Sequence, residues 1–262
     1  MLVAGGKAFR RRGLTESLLA VARRFVDRRR HPGRAKHGDA DLGLGCGIPT
    51  AFAQIREGDT VVDLGSGAGN DCFVARAIAG PAGKIIGVDM TPAMIEKARI
   101  NADTLGFNNV EFRQGDIESL PIAANRADVV ISNCVLNLVP DKQKAFAEMH
   151  RVLKPGGHFS VSDIVLRGEL PDALRHDAEM YAGCVSGAIQ EHDYLSMLAD
   201  VGFMGIAVQR ATVVDLPDDI LGSYLTTEEI ATMRAGGTGI VSVNVYGMKP
   251  ADQVCSPSSG CC

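Results

Sequence analysis

The sequence predicts a doubly wound, mostly parallel α/β sheet, with a helical insertion and late strands on its C-terminal side. Three observations carry that expectation. From Asp59 onward, short β-branched runs alternate with stretches of helical character, the rhythm of strand–helix–strand units. A glycine-rich turn, Gly65 to Gly69, joins the first of these runs to a helix. The run from Ala127 to Ser132 is continuously apolar after Asp128, which suits a strand covered on both faces.

Each element has its own signal. Thr60 to Leu64 reads as the first strand, followed by a helix from about Asp71 to Ala79, and Lys84 to Val88 as the second strand. Thr91 is a capping residue and Pro92 fits the first position of a helix that runs to about Thr104 and ends at Gly106. Val110 to Gln114 is the third strand and Ala127 to Ser132 the fourth. Lys142 to Leu153 is a helix stopped by Pro155-Gly156-Gly157, with His158 to Val165 as a fifth strand. Beyond Arg167 the rhythm changes: Pro171 to about Ala188 and His192 to Val201 read as helices, and Ile206 to Val214 and Ile240 to Gly247 as strands.

Composition limits the function. The 262 residues, 46% hydrophobic and 22% charged, describe an ordinary globular chain with room for one large core. The longest nearly apolar stretch, Ala127 to Val139, contains Asp128, Ser132, Asn133 and Asn137 and falls short of the ~20 residues a spanning helix needs. Seven cysteines are an odd number and too few for a disulfide scaffold of this length, and no signal peptide opens the chain, so a reducing cytoplasm is the expected compartment. Residues 1–36 hold 11 of the 27 Lys and Arg but only 2 of the 31 acids, which leaves an acidic remainder. That segment reads as a separable, poorly ordered extension, or a start assigned too early, with a transit peptide or nucleic-acid arm as the other readings. The organisation expected is therefore 1–36 extension, 37–165 cofactor-binding core, 166–250 substrate-binding and sheet-completing region, and 251–262 a Cys-containing tail. An acidic core offers no track for phosphates, so neither nucleic acid nor membrane is an expected partner, and a monomer is expected.

Chemistry enters at Asp63-Leu64-Gly65-Ser66-Gly67-Ala68-Gly69. Glycines allow a sharp turn and close approach of a ligand, and the following helix presents unpaired N–H groups. A dinucleotide fingerprint would need its third glycine or an alanine at position 70, where this chain has Asn70. An acid before alternating glycines instead resembles the cofactor loop of class I S-adenosylmethionine-dependent methyltransferases, which have a Rossmann-like fold. Asp89, 24 residues after Gly65, is then placed to accept hydrogen bonds from ribose hydroxyls, with Met90 packing on adenine. Asp116 and Ile117, read as the end of the third strand, would take the adenine amino group and cover the ring. Alone, Asp89 or Asp116 is equally a turn residue. The cofactor-binding set is Asp63, Gly65, Ser66, Gly67, Gly69, Asp89, Met90, Asp116, Ile117 and Asn133.

Cys134 follows the fourth strand, beside the first strand in such a fold, where it would face the methyl group. Cys46 lies in Gly45-Cys46-Gly47, before the first strand, and Cys184 in Gly183-Cys184-Val185-Ser186-Gly187-Ala188. Taken singly, each is more often a small buried hydrophobe. Spacings of 88 and 50 residues exclude a local zinc-finger clip. His150, His176 and His192 form no ligand spacing, and Cys72, at the start of a helix, reads as a packing residue, with a dipole-favoured thiolate as the alternative.

In order and across roughly residues 40–205, these segments resemble the arsenite S-adenosylmethionine methyltransferases. The Gly-Cys-Gly, Ser-Asn-Cys-Val-x-Asn-Leu and Gly-Cys-x-x-Gly-Ala segments are the specific marks. The resemblance implies that Cys46, Cys134 and Cys184 bind As(III), that arsenite or its thiol conjugates are the substrate, and that glutathione or thioredoxin is the reductant in arsenic detoxification. Two departures stand out: Gly43 and Leu44 replace an aromatic pair, and no cysteine precedes Cys46. Cys255, Cys261 and Cys262 either capture arsenic on the tail or are idle. Two other functions share parts of this pattern: methylation of carbon or oxygen on a small organic acceptor, and thiol-based arsenic binding without transfer.

Overall fold

The computed structural model describes residues 49–170, 174, 185, 187–214, 216–236 and 239–251. Cys46, Cys184, the basic extension, the C-terminal cysteines and most of the helix expected from Pro171 to Ala188 lie outside them. The described elements in chain order are α1 (Pro49–Phe52), β1 (Thr60–Leu64), α2 (Asn70–Ala79), β2 (Lys84–Asp89), α3 (Pro92–Leu105), β3 (Val110–Gln114), β4 (Ala127–Asn133), a 3-10 turn (Leu136–Leu138), α4 (Lys142–Val152), β5 (Leu153–Arg167), α5 (Glu191–Asp200), β6 (Met204–Val213), α6 (Asp218–Leu221), α7 (Thr227–Gly236) and β7 (Gly239–Met248).

The strands form one sheet in the order β3-β2-β1-β4-β5-β7-β6. Strands β1 to β5 run parallel. Strand β7 is antiparallel to β5, and β6 to β7. The chain runs outward from β1 to β3 and returns to β4 on the other side of β1, so the switch point lies between the carboxyl ends of β1 and β4. There the loops after the two strands diverge and leave a crevice for a ligand.

Both faces of the central strands are covered, which is why β1 and β4 are almost wholly buried. On one face, Ala145, Phe146, Met149 and Val152 form the inward stripe of α4. Phe146 meets Tyr194 of α5 edge to face, with ring centroids 5.1 Å apart. Helix α3 starts at Thr91-Pro92 and ends at Gly106, which takes the left-handed conformation. No helix among the described residues is long and apolar enough to cross a membrane.

Two expectations are corrected. Strand β5 begins at Leu153, because Leu153 already pairs with Ala127 and the register then slips before Val129–His158; Lys154 to Gly157 lie inside the strand. Strand β3 ends at Gln114, so Asp116 and Ile117 belong to the turn after it. The short helices α6 and α7 were not foreseen, although Thr226 and Glu229 form a capping box at the start of α7, with Thr226 N donating to Glu229 Oε2 at 2.8 Å and Glu229 N to Thr226 Oγ1 at 3.3 Å. Helix α7 buries no residue, and so lacks an apolar stripe from which it could be read.

Candidate functional site

The crevice is built first by the glycine loop. Gly65, Gly67 and Gly69 have φ of 68°, 51° and 95°, a region that costs a side chain. Gly65 N and Ser66 N both donate to Val88 O, at 2.8 and 3.0 Å, which ties the loop to β2, and Gly69 N donates to Ser66 O at 2.9 Å. Asn101 of α3 donates its amide to Ala68 O at 3.0 Å and holds the far side. A Cβ on Gly69 would stand 2.7 Å from the Phe112 ring, whereas one on Gly67 would meet nothing within 4 Å. The loop is thus packed tightly on the sheet side and open at Gly67. Ser66 Oγ is buried with no hydrogen-bond partner among the described residues.

Asp89, at the end of β2, accepts from Gly67 N at 3.0 Å and from Thr91 N at 2.8 Å, so its carboxylate stands beside the open part of the loop. Met90 next to it is 74% exposed, unusual for so large an apolar side chain. Gly115 N donates to Asp89 O at 3.1 Å, which brings the Asp116 turn alongside. Asp116 is exposed and accepts from Glu118 N at 2.8 Å, while Ile117 is buried.

Asp63 lies beneath the loop. Its carboxyl is buried and accepts a hydrogen bond from Cys72 Sγ at 3.2 Å. Burial, with the Asp71 charge adding to it, pushes its pKa well above the carboxylate range. The same burial and the Asp63 carboxyl push the Cys72 thiol up. Desolvation and the neighbouring acid both disfavour a thiolate at Cys72, which is a free, buried thiol.

The second wall is the end of β4. Asn133 donates to Asp71 Oδ2 at 3.0 Å and so spans from β4 to the start of α2. Cys134 follows with φ of 57°, its N–H donating to Ser162 O at 2.8 Å; its sulfur is disulfide-bonded. Val135 then turns back onto the loop: a Cβ on Gly65 would lie 2.3 Å from Val135 Cγ2. Of the expected cofactor set, the structure gathers the glycine loop, Asp89, Met90, the 116–117 turn and Asn133 at one edge, and places Asp63 under it.

Sequence reasoning missed Asp71, Asn101 and Val135. Asp71 in the first turn of α2 had a visible signal, an acid at a helix start. Asn101 and Val135 act through tertiary contacts that leave no local pattern.

A family profile described as a methyltransferase domain matches residues 55–202. An arsenite methyltransferase of Halobacterium salinarum is 45% identical over 212 residues, 81% of this chain and 52% of that protein. The arsenite methyltransferase of Aquipseudomonas alcaligenes is 37% identical over 188 residues, 69% of this chain and 54% of its own length. The crystal structure of an arsenic(III) S-adenosylmethionine methyltransferase from Chlamydomonas reinhardtii superposes with a TM-score of 0.66 at 33% identity, covering 81% of this chain and 71% of that one. The chain spans about half the length of these two curated relatives. A seven-stranded, mostly parallel sheet, a glycine loop at its switch point and these similarities agree: the chain belongs to the S-adenosylmethionine-dependent methyltransferase-domain family, and within it stands with the arsenite methyltransferases.

Proposed function

We propose that the chain transfers the methyl group of S-adenosylmethionine to trivalent arsenic held by Cys46, Cys134 and Cys184. The observation that carries this reading is the contact between the Cys134 turn and the glycine loop, made by Val135 against Gly65. It brings the residue next to Cys134 against the glycine loop, which supports a sulfur ligand beside the crevice.

The loop residues fit the cofactor. Open space at Gly67 admits its backbone-contacting part, the buried Ser66 Oγ gains a partner, and Asp89 faces the place for ribose hydroxyls. Met90 offers apolar surface for the adenine, Asp116 an acceptor for its amino group, and Asn133 a polar contact steadied by Asp71, whereas Ile117 is buried in the core and has little surface left to cover the ring. Asp63 supports the loop from beneath through Cys72. When bound, S-adenosylmethionine supplies an electrophilic methyl group on a sulfonium.

Arsenic(III) is a soft centre that prefers thiolates. When three thiols displace the hydroxyls of arsenite, three waters leave, and the sulfur pyramid leaves the arsenic lone pair directed outward. That lone pair forms the As–C bond while the methyl C–S bond breaks and its electron pair stays on the departing sulfur. The protein contributes orientation and water exclusion, and no general base is needed. Arsenic leaves this step two electrons more oxidised, so a thiol reductant must return it to the trivalent state. The disulfide at Cys134 makes the same demand, since its sulfur binds arsenic only after two-electron reduction. Glutathione or thioredoxin meets both needs.

The test is incubation of the purified protein with S-adenosylmethionine, glutathione and arsenite, followed by chromatographic separation of the arsenic species with elemental detection. Methylated arsenic that disappears in Cys134→Ser is the expected result. No methylation despite measured cofactor binding overturns the reading and directs attention to an organic acceptor.

A further inference from the structure

Strand β5 outruns its neighbour. The last pair with β4 is Asn133–Ser162, yet β5 continues to Arg167, so among the described residues no named strand lies beside the β4-side edge of residues 163–167. A bare strand edge must satisfy its backbone groups in some other way. Here it does so by holding the segments that carry the expected arsenic ligands. Ser162 O accepts from Cys134 N at 2.8 Å, and Ile164 O accepts from the Asn137 side-chain amide at 2.7 Å. Leu166 N donates to Ile189 O at 2.9 Å, and Leu166 forms a parallel bridge with Gln190. The three β5 residues alternate, so their polar groups point along one edge at intervals of about 6.6 Å.

The remaining segment is tied to the same strand through a side chain. Ser160 Oγ donates to Pro49 O at 3.0 Å, three residues after Cys46. Asn244 of β7 steadies that end by donating to Ser162 Oγ at 3.0 Å. The second and third segments are also locked to each other. Lys142 Nζ donates to Asn137 O at 3.2 Å, and Gly187, three residues after Cys184, packs so closely that a Cβ there would stand 2.3 Å from the same oxygen. Gly187 has φ of 79°, so both conformation and contact demand glycine.

We propose that the overhanging edge of β5 is a ruler that sets the Cys134 turn in register with the segment 187–190, and so shapes the arsenic site, with Asn137 and Gly187 as its positioning residues. This rests on the arsenic reading above. Asn137 and Gly187 carry no thiol and supply no arsenic ligand; they act by holding the Cys134 turn and the segment 187–190 in register.

The experiment measures arsenite binding to the glutathione-reduced full chain, its As–S coordination number by X-ray absorption, and S-adenosylmethionine affinity, for the unaltered protein, Gly187→Ala and Asn137→Ala. Gly205→Ala serves as control: Gly205 has φ of 61° and nothing within 4 Å of an added Cβ, so it reports backbone strain alone. Expected for Gly187→Ala and Asn137→Ala are fewer than three sulfurs on arsenic and a roughly tenfold to hundredfold loss of arsenite affinity or rise in its KM, with cofactor affinity unchanged. Gly205→Ala should bind arsenite as the unaltered chain does. Three-sulfur binding at unchanged affinity in both positioning variants overturns the ruler and leaves the arsenic assignment standing. Parallel loss of cofactor and arsenite binding also overturns it, because that marks general collapse. Failure of the unaltered chain to bind arsenite through sulfur overturns the assignment itself.

Discussion

Val135 closes directly over Gly65: any Cβ at position 65 would stand 2.3 Å from Val135 Cγ2, closer than real atoms approach. The glycine loop and the Cys134 turn are therefore one packed unit. Gly65→Ala should push the two apart and also force alanine to φ near 68°. Overpacking of this kind costs on the order of 1–3 kcal/mol, with backbone strain in addition. The expected result is a lower melting temperature together with loss of S-adenosylmethionine binding in calorimetric titration; cofactor binding at unaltered strength would show that the contact is slack.

Asp89 gives a second expectation. Its two oxygens accept from Gly67 N and Thr91 N, so the carboxylate both shapes the loop and faces the crevice. Asp89→Ala should lower cofactor affinity about tenfold or more, since hydrogen bonds to charged groups contribute roughly 1.5–3 kcal/mol. An analogue lacking the ribose hydroxyls should bind the variant and the unaltered chain alike. Discrimination of that analogue equally by both proteins would remove the ribose role.

The parts of this architecture legible in the sequence are those with local causes. Thr60–Leu64 and Val110–Gln114 are bounded as their β-branched runs suggest, and Thr91-Pro92 with Gly106 delimits α3. Asp89 was readable because its place follows from the end of a strand. Asp63 was readable as part of the motif, but its burial over Cys72 was not, because it depends on which side of β1 faces α2. The start of β5 was hidden by Pro155-Gly156-Gly157, a typical turn signal that here lies within a strand. Asn137 and Gly187 were invisible as a pair, being 50 residues apart and joined only where β5 overhangs.

Asp163 predicts a pH dependence. It is wholly buried on β5, accepts from Ile164 N and Tyr194 Oη, and is faced by the Lys142 ammonium; burial dominates and raises its pKa to about 7. A carboxyl with a raised pKa in the folded state binds more protons folded than unfolded. Its contribution to stability is therefore fully present below about pH 4 and declines until the pH passes 7. Asp163→Asn should flatten that decline between pH 4 and 7, by at most on the order of 4 kcal/mol. A residual slope of the same sign should persist, because Asp63 and Asp71 are also raised. Urea titrations across this range check the sign, and an unchanged slope in Asp163→Asn would refute the assignment.

The cysteines separate by reactivity. Cys72 is fully buried, its thiol pushed up by desolvation and by Asp63, so it should resist iodoacetamide at pH 8 in the folded protein and react only on unfolding. Cys134 is disulfide-bonded and stands at a left-handed turn on the crevice wall, so it should be labelled only after glutathione treatment. Mass spectrometry of labelled peptides with and without reductant distinguishes the two sites. Arsenite added after reduction should then protect Cys134 and leave Cys72 unaffected. Protection of neither would mean that the Cys134 thiol does not meet arsenic, and the methyl transfer proposed for this crevice would need another acceptor.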